Sequence, residues 1–163
     1  MEKRDLYDAN FHLIGKTIEK NEEIPKDTYI LIVAVFIQND KGEFLIQKRS
    51  LNKDGKWATT GGHPKAGETS LEVILTEVKE ELGITINEPT LFKRVHDDKC
   101  FCDLYYIKEN VDISKVHLQT EEVSDVKWAT TDEIEDLNKT GEFKKSHYLM
   151  FKDCLEYLKE KNA

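Results

Sequence analysis

Cysteine is scarce in this chain, with only Cys100, Cys102 and Cys154 among 163 residues. There is no CxxC pair and no cysteine at zinc-ligand spacing from a histidine. This points away from a disulfide or zinc scaffold and towards reduced thiols in a cytoplasmic protein. Cys100 and Cys102, two apart in a strand, share a face, which suits packing better than chemistry. Long apolar runs are also missing. No stretch reaches membrane-spanning length, and the opening residues MEKRDLYDAN lack the apolar core of a secretory signal, so no membrane partner is expected. Positive charge is in deficit: 24 Lys and Arg against 32 Asp and Glu leave a net charge of −8. A nucleic-acid backbone is therefore not an expected partner. The same acidity means that a polyphosphate ligand needs local cations or a metal to approach. No internal repeat or low-complexity segment occurs. With 39% hydrophobic and 34% charged residues the composition is that of a globular protein, and the length fits one domain over residues 1–163 with a real core.

What is present is concentrated between Gly62 and Ile84, GHPKAGETSLEVILTEVKEELGI. Thr69 followed three residues later by Glu72 fits a capping box, so a helix is predicted to start there. Gly83 supplies its stop. Leu71, Ile74, Leu75, Val78 and Leu82 recur at helical spacing and are predicted to face a core. Glu77 and Glu80 fall on roughly the opposite side, with Glu81 at the border. Spacings of three and four let all three carboxylates converge. Such a cluster is either a solvated acidic face or a site for a hard divalent cation, since Mg²⁺ and Mn²⁺ prefer oxygen ligands.

The spacing resembles the Nudix box. Gly62, five residues, Glu68, eight residues, Glu77, then Glu80–Glu81 and Gly83–Ile84 follow that family's pattern over residues 62–84, with one departure: Thr76 stands where the family has arginine. The resemblance implies an α+β domain, an α/β/α sandwich around a mixed β-sheet. It also implies dependence on Mg²⁺ or Mn²⁺ and hydrolysis of a small-molecule diphosphate. Glu77, Glu80 and Glu81 fall on the family's metal-binding glutamates, and Gly62 on the glycine whose carbonyl completes the site. The missing arginine would orient a catalytic glutamate, so orientation must come from elsewhere, such as Lys79, or activity is weak.

The rest of the chain reads as strands and helices without strict alternation, which favours a layered α+β arrangement. Residues 1–28 form an N-terminal extension of short strands or a hairpin. Tyr29–Ile37 is predicted as a buried central strand, Glu43–Arg49 as its return after the turn at Asn39–Gly42, and Trp57–Thr60 as a short strand into the box. Strands follow at Leu91–His96, Phe101–Ile107 and Val123–Ala129. A helix capped by Thr131 or Asp132 runs to about Asn138, and a last helix spans Ser146–Lys161 with Leu149, Met150, Cys154, Leu155 and Leu158 on one stripe.

GEFLIQKRSLNK, followed by WATTGGHPKAGE, is similar to the isopentenyl-diphosphate isomerase-like branch of the family. The N-terminal DLYDAN…GKTI supports this. In that branch an arginine and a lysine four residues later bind the diphosphate, and Arg49 and Lys53 fall on them; both suit phosphate oxygens. His63 is a phosphate or metal contact, or a local hydrogen-bonder. The isomerase cysteine, however, is replaced by Gly61, and no glutamate occurs between Asp98 and Cys102, so a scaffold without isomerase chemistry is expected. Many Nudix members carry an extra catalytic or metal-binding glutamate before the strand at Val123, where Glu121 and Glu122 lie; Glu122 is taken as a catalytic candidate. Tyr7, Tyr29, Phe36 and Trp57 are candidates for base stacking or for core. The expected activity is a metal-dependent hydrolase of a nucleoside-diphosphate-type substrate, against an isomerase-like enzyme or a non-catalytic nucleotide sensor. The oligomeric state, a homodimer included, is left open.

Overall fold

The computed structural model describes residues 2–162. The chain begins with a hairpin, β1 (Lys3–Tyr7) and β2 (Leu13–Glu19). Then come β3 (Ile30–Gln38), β4 (Phe44–Arg49), β5 (Trp57–Ala58), β6 (Thr60–Gly62) and α1 (Ser70–Leu82). They are followed by β7 (Thr90–His96), β8 (Cys100–Lys108), β9 (Val123–Ala129), α2 (Thr131–Lys139) and α3 (Lys145–Lys161). The larger sheet runs β5-β4-β3-β8-β7, with β6 also paired to β3 and β9 to β4. It is mixed: β3 and β8 are parallel from Ile30↔Cys100 to Gln38↔Lys108, and the other pairings are antiparallel.

The β-branched run of β3 is central because both its faces are covered. Leu31, Val33, Val35 and Ile37 point to one side and pack with Val73, Ile74, Val78 and Leu82 of α1. Phe36 points to the other, against Phe44 and Phe151 of α3. Helix α1 thus seals one face and α2 with α3 the other, giving the expected α/β/α sandwich.

Both ends of α1 follow from local chemistry. The Thr69 hydroxyl accepts the Glu72 N–H, and the Glu72 carboxylate accepts the Thr69 N–H, satisfying two first-turn donors. Gly83 ends the helix at φ +68°, and a Cβ there would lie 2.9 Å from Cβ of His117. Glycine is needed twice over, because the chain at His117–Gln119 crosses this end and donates N–H groups to the carbonyls of Leu82 and Glu81.

Several details differ from the sequence reading. Leu71 is 43% exposed, whereas Val73 is buried and Glu81 is only 7% exposed. The sheet meets α1 further round than the leucine spacing indicates. The predicted strand Trp57–Thr60 is broken at Thr59, whose hydroxyl donates to the Val35 carbonyl. The cap of α2 is Thr130, one residue earlier than predicted. On α3, Leu149 is 56% exposed and Phe151, absent from the predicted stripe, is fully buried against Phe36 and Phe44.

The hairpin is fastened to the sheet. Tyr7 and Tyr29 exchange backbone hydrogen bonds, and Phe11 lies edge-on to Phe101. The Arg94 guanidinium sits 3.7 Å above the Phe11 ring while forking onto the buried Asp103 carboxylate at 2.5 and 3.0 Å.

Phe151→Ala should lower unfolding free energy by about 3–5 kcal/mol through lost burial and a cavity. Leu149→Ala should change it by no more than about 0.5 kcal/mol. Urea unfolding of both variants checks the orientation of α3, and equal losses would contradict it.

Candidate active site

The fold leaves a cleft of about 920 Å³. Its walls come from the hairpin, β3, the β4–β5 connection, the β6–α1 loop, α1, the loop before β9 and the start of α3. Every predicted site residue lines it: Arg49, Lys53, Gly62, His63, Glu77, Glu80, Glu81 and Glu122. Glu121 does not; its carbonyl accepts the Ser50 hydroxyl instead. Tyr7, Tyr29, Phe36 and Trp57 are outside the lining, and Phe36 and Trp57 are core.

The acidic end is built on α1. Burial raises the Glu77 carboxyl to about 8, reinforced by the charges of Glu81, Glu80 and Glu122 and by a hydrogen bond with Glu81. Burial also raises Glu81, while the hydrogen bond from Gln47 opposes the shift. That bond runs from Gln47 Nε2 to Glu81 Oε1 at 2.8 Å, and the Gln47 Oε1 accepts the Thr60 hydroxyl at 2.6 Å. Gln47, not Lys79, therefore orients a glutamate in this arginine-less motif. Gly62 allows the closeness: a Cβ there would lie 2.7 Å from Cδ of Glu77.

These oxygen donors fit a hard divalent cation in kind, since converging carboxylates at a backbone cradle are what such an ion offsets. Among the described residues no three His, Cys, Asp or Glu side chains are already set as a metal cage.

The basic side is self-paired. Arg49 Nε donates to Asp54 Oδ1 at 2.8 Å, and Lys53 forms an ion pair with Glu122. Lys144 lies close by, its ammonium lowered by burial and by Arg49, Lys53 and Lys56. His147 Nδ1 accepts the Thr59 N–H at 3.2 Å, and burial beside Lys144 and Arg49 lowers this imidazole to about 3, so it is neutral. His63 is lowered to about 4 by burial and by Arg4, Lys20, Lys144 and Lys53.

Sequence reasoning missed Gln47, Lys144 and His147. A signal existed for Gln47: it interrupts an apolar strand and stands two residues before Arg49, hence on the same face. Lys144 and His147 carry no local signal, because only the packing of α3 brings them to the cleft.

The fold is a mixed sheet between helices, with a capped loop–helix presenting glutamates to a polar cleft. The chain matches the NUDIX domain over residues 28–152 and belongs to the Nudix hydrolase family. It is 39% identical over 150 residues to an uncharacterized Nudix hydrolase of Listeria innocua, covering 88% of each chain. It is 33% identical over 78 residues to isopentenyl-diphosphate Delta-isomerase of Escherichia coli, which covers 45% of this chain and 43% of the isomerase. The NUDIX domain of Shewanella oneidensis NrtR, solved with ADP ribose, superposes with a TM-score of 0.65 at 18% identity, covering 83% of this chain and 89% of that one. Enzymes of this family generally use a divalent metal and act on small molecules.

The raised Glu77 makes a stability prediction. A carboxyl at about 8 in the folded state against 4.5 unfolded favours folding most at low pH, and that contribution is lost as pH rises through about 8. In chelator-treated protein, Tm should fall between about pH 4.5 and 8 more steeply than in Glu77→Gln. Parallel profiles would show that Glu77 is not crowded by carboxylates.

Proposed function

We propose that the protein hydrolyses the diphosphate linkage of a nucleoside-diphosphate-type small molecule, using Mg²⁺ or Mn²⁺. The observation that carries this is one cleft holding Glu77, Glu80, Glu81 and Glu122 beside Arg49, Lys53 and Lys144. Glu77, Glu80, Glu81 and the Gly62 carbonyl would hold the cation, which would supply charge neutralisation at the phosphates and a lowered pKa for a bound water. Gln47 fixes the Glu81 carboxylate. Arg49 and Lys53 exchange their carboxylate partners for phosphate oxygens, and His63 adds a contact. That exchange frees Glu122 from Lys53 as proton acceptor for the attacking water. The water oxygen bonds to one phosphorus, the bridging P–O bond breaks, and the leaving phosphate carries the electron pair away.

The ADP ribose bound by the NrtR domain, which shares this fold, supports a nucleotide-type ligand. A second reading is favoured by the lining itself. Ile32, Cys102 and Met150 contribute an apolar wall, and no Phe, Tyr or Trp lines the cleft among the described residues. A diphosphate with an aliphatic leaving group fits that wall. The three free cysteines, two of them buried, suit a reducing compartment such as the cytoplasm.

Phosphate release from ADP ribose, nucleoside diphosphates, sugar nucleotides and prenyl diphosphates, with Mg²⁺ or Mn²⁺, distinguishes the readings. Binding without turnover across the panel would leave a sensor. By calorimetry, Glu80→Gln/Glu81→Gln should weaken Mn²⁺ binding by about ten-fold or more. Equal affinity in a folded variant would remove the metal from α1.

Isomerisation of isopentenyl diphosphate is expected to be absent. Gly61 pairs with Ala34, and a Cβ there would lie 2.5 Å from the Val33 carbonyl oxygen. The position lacks the thiol and the room for one, so Gly61→Cys should destabilise the protein without creating isomerase activity. Interconversion at enzymatic rates in the wild type would contradict this.

A further inference from the structure

The cleft holds cations that the proposed reaction does not use: Arg4 and Lys20 at the N-terminal hairpin and Lys65 on the β6–α1 loop. Arg4 on β1 pairs across the hairpin with the buried Ile18 and lines the cleft. Its Nε is shut off from solvent without a hydrogen-bond partner. The guanidinium forms no ion pair among the described residues. Glu2 and Asp97 line the same cleft but do not pair with it. A buried N–H left unmade costs stability, so an arginine held this way is poorly explained by structure alone.

The hairpin is fixed where Arg4 is useful. Ala66 N–H donates to the Lys3 carbonyl at 2.8 Å, and Gly67 N–H to the Asp5 carboxylate at 2.9 Å. These bonds tie β1 to the loop that carries His63 and Lys65. Lys20, just after β2, lines the same cleft. Arg4, Lys20, His63 and Cys100 line the cleft together. The NUDIX match begins at residue 28, so the hairpin lies outside the shared domain.

We propose that Arg4, with Lys20 and Lys65, forms a second anion subsite, separate from Arg49 and Lys53, that takes a phosphate monoester on the substrate distal to the scissile diphosphate. Three cations match a dianionic phosphate better than a singly charged carboxylate, and a guanidinium forks onto phosphate oxygens. That this phosphate belongs to the substrate rests on the proposed hydrolase function; anion binding at Arg4 does not.

The test uses chelator-treated full-length protein and no turnover. Amide NMR shifts are followed during titration with inorganic phosphate, with acetate as control, in wild type, Arg4→Gln and Arg49→Gln. Two separately saturating groups of shifts are expected, one around residues 4, 20 and 65 and one around 49, 53 and 144. Arg4→Gln should weaken the first by about ten-fold or more and spare the second, with Arg49→Gln doing the reverse. Acetate should shift the first group markedly less. A single group weakened by both substitutions would mean one shared diphosphate site and overturn the proposal, as would phosphate binding unchanged by Arg4→Gln. Arg4→Met gives a second readout. Its Tm should equal or exceed that of wild type, since an unpartnered donor is removed. A lowered Tm with phosphate binding intact would make Arg4 structural. If both groups appear but no diphosphate is hydrolysed, the hydrolase function fails and the subsite stands.

Discussion

The site depends on a carboxylate held in a helix–sheet interface. Helix α1 seals one face of the sheet with Val73, Ile74, Val78 and Leu82, yet Glu81 lies among them at 7% exposure. A buried carboxylate is tolerated when donors reach it. Here the donor is the Gln47 amide, itself anchored by the Thr60 hydroxyl. Strand β4 therefore sets the position of a glutamate on α1. The close approach of Gly62 to Glu77 fixes the helix against β6 in the same way. With helix, strand and loop locked together, Glu77 and Glu81 must crowd, and the crowding leaves the cluster short of positive charge.

The surrounding cleft meets that demand in an acidic chain. Arg4, Lys20, Arg49, Lys53, Lys65 and Lys144 are gathered around it from the hairpin, two loops and the edge of α3. Two of them are already occupied, Arg49 by Asp54 and Lys53 by Glu122. Partly exposed pairs of this kind contribute little stability.

The likeness to the isomerase spans 78 residues, less than half of either chain. Arg49, Lys53 and His63 line the cleft. Gly61, however, is packed against the Val33 carbonyl with no space for a side chain.

The sequence by itself determined what depends on near neighbours. The capping box at Thr69 and Glu72, the stop at Gly83, the buried run of β3, strand β9 and the hairpin were all legible, because caps, turns and β-branched runs act over a few residues. Glu77, Glu80 and Glu81 were legible as carboxylates of one helix, and all three line the cleft. Tertiary structure decided which face of each helix is covered. Leu71 and Leu149 fit a helical stripe but face solvent, while Phe151 lies at the centre of the second core. Hydrophobic spacing fixes a stripe only to within a turn, and the sheet selects the side. The partner of Glu81 was likewise beyond local reading, since Gln47 is 34 residues away. Lys144, His147 and Arg4 reach the cleft only because α3 and the hairpin pack where they do. Long-range packing, not residue type, turned those side chains from surface charges into walls of one site.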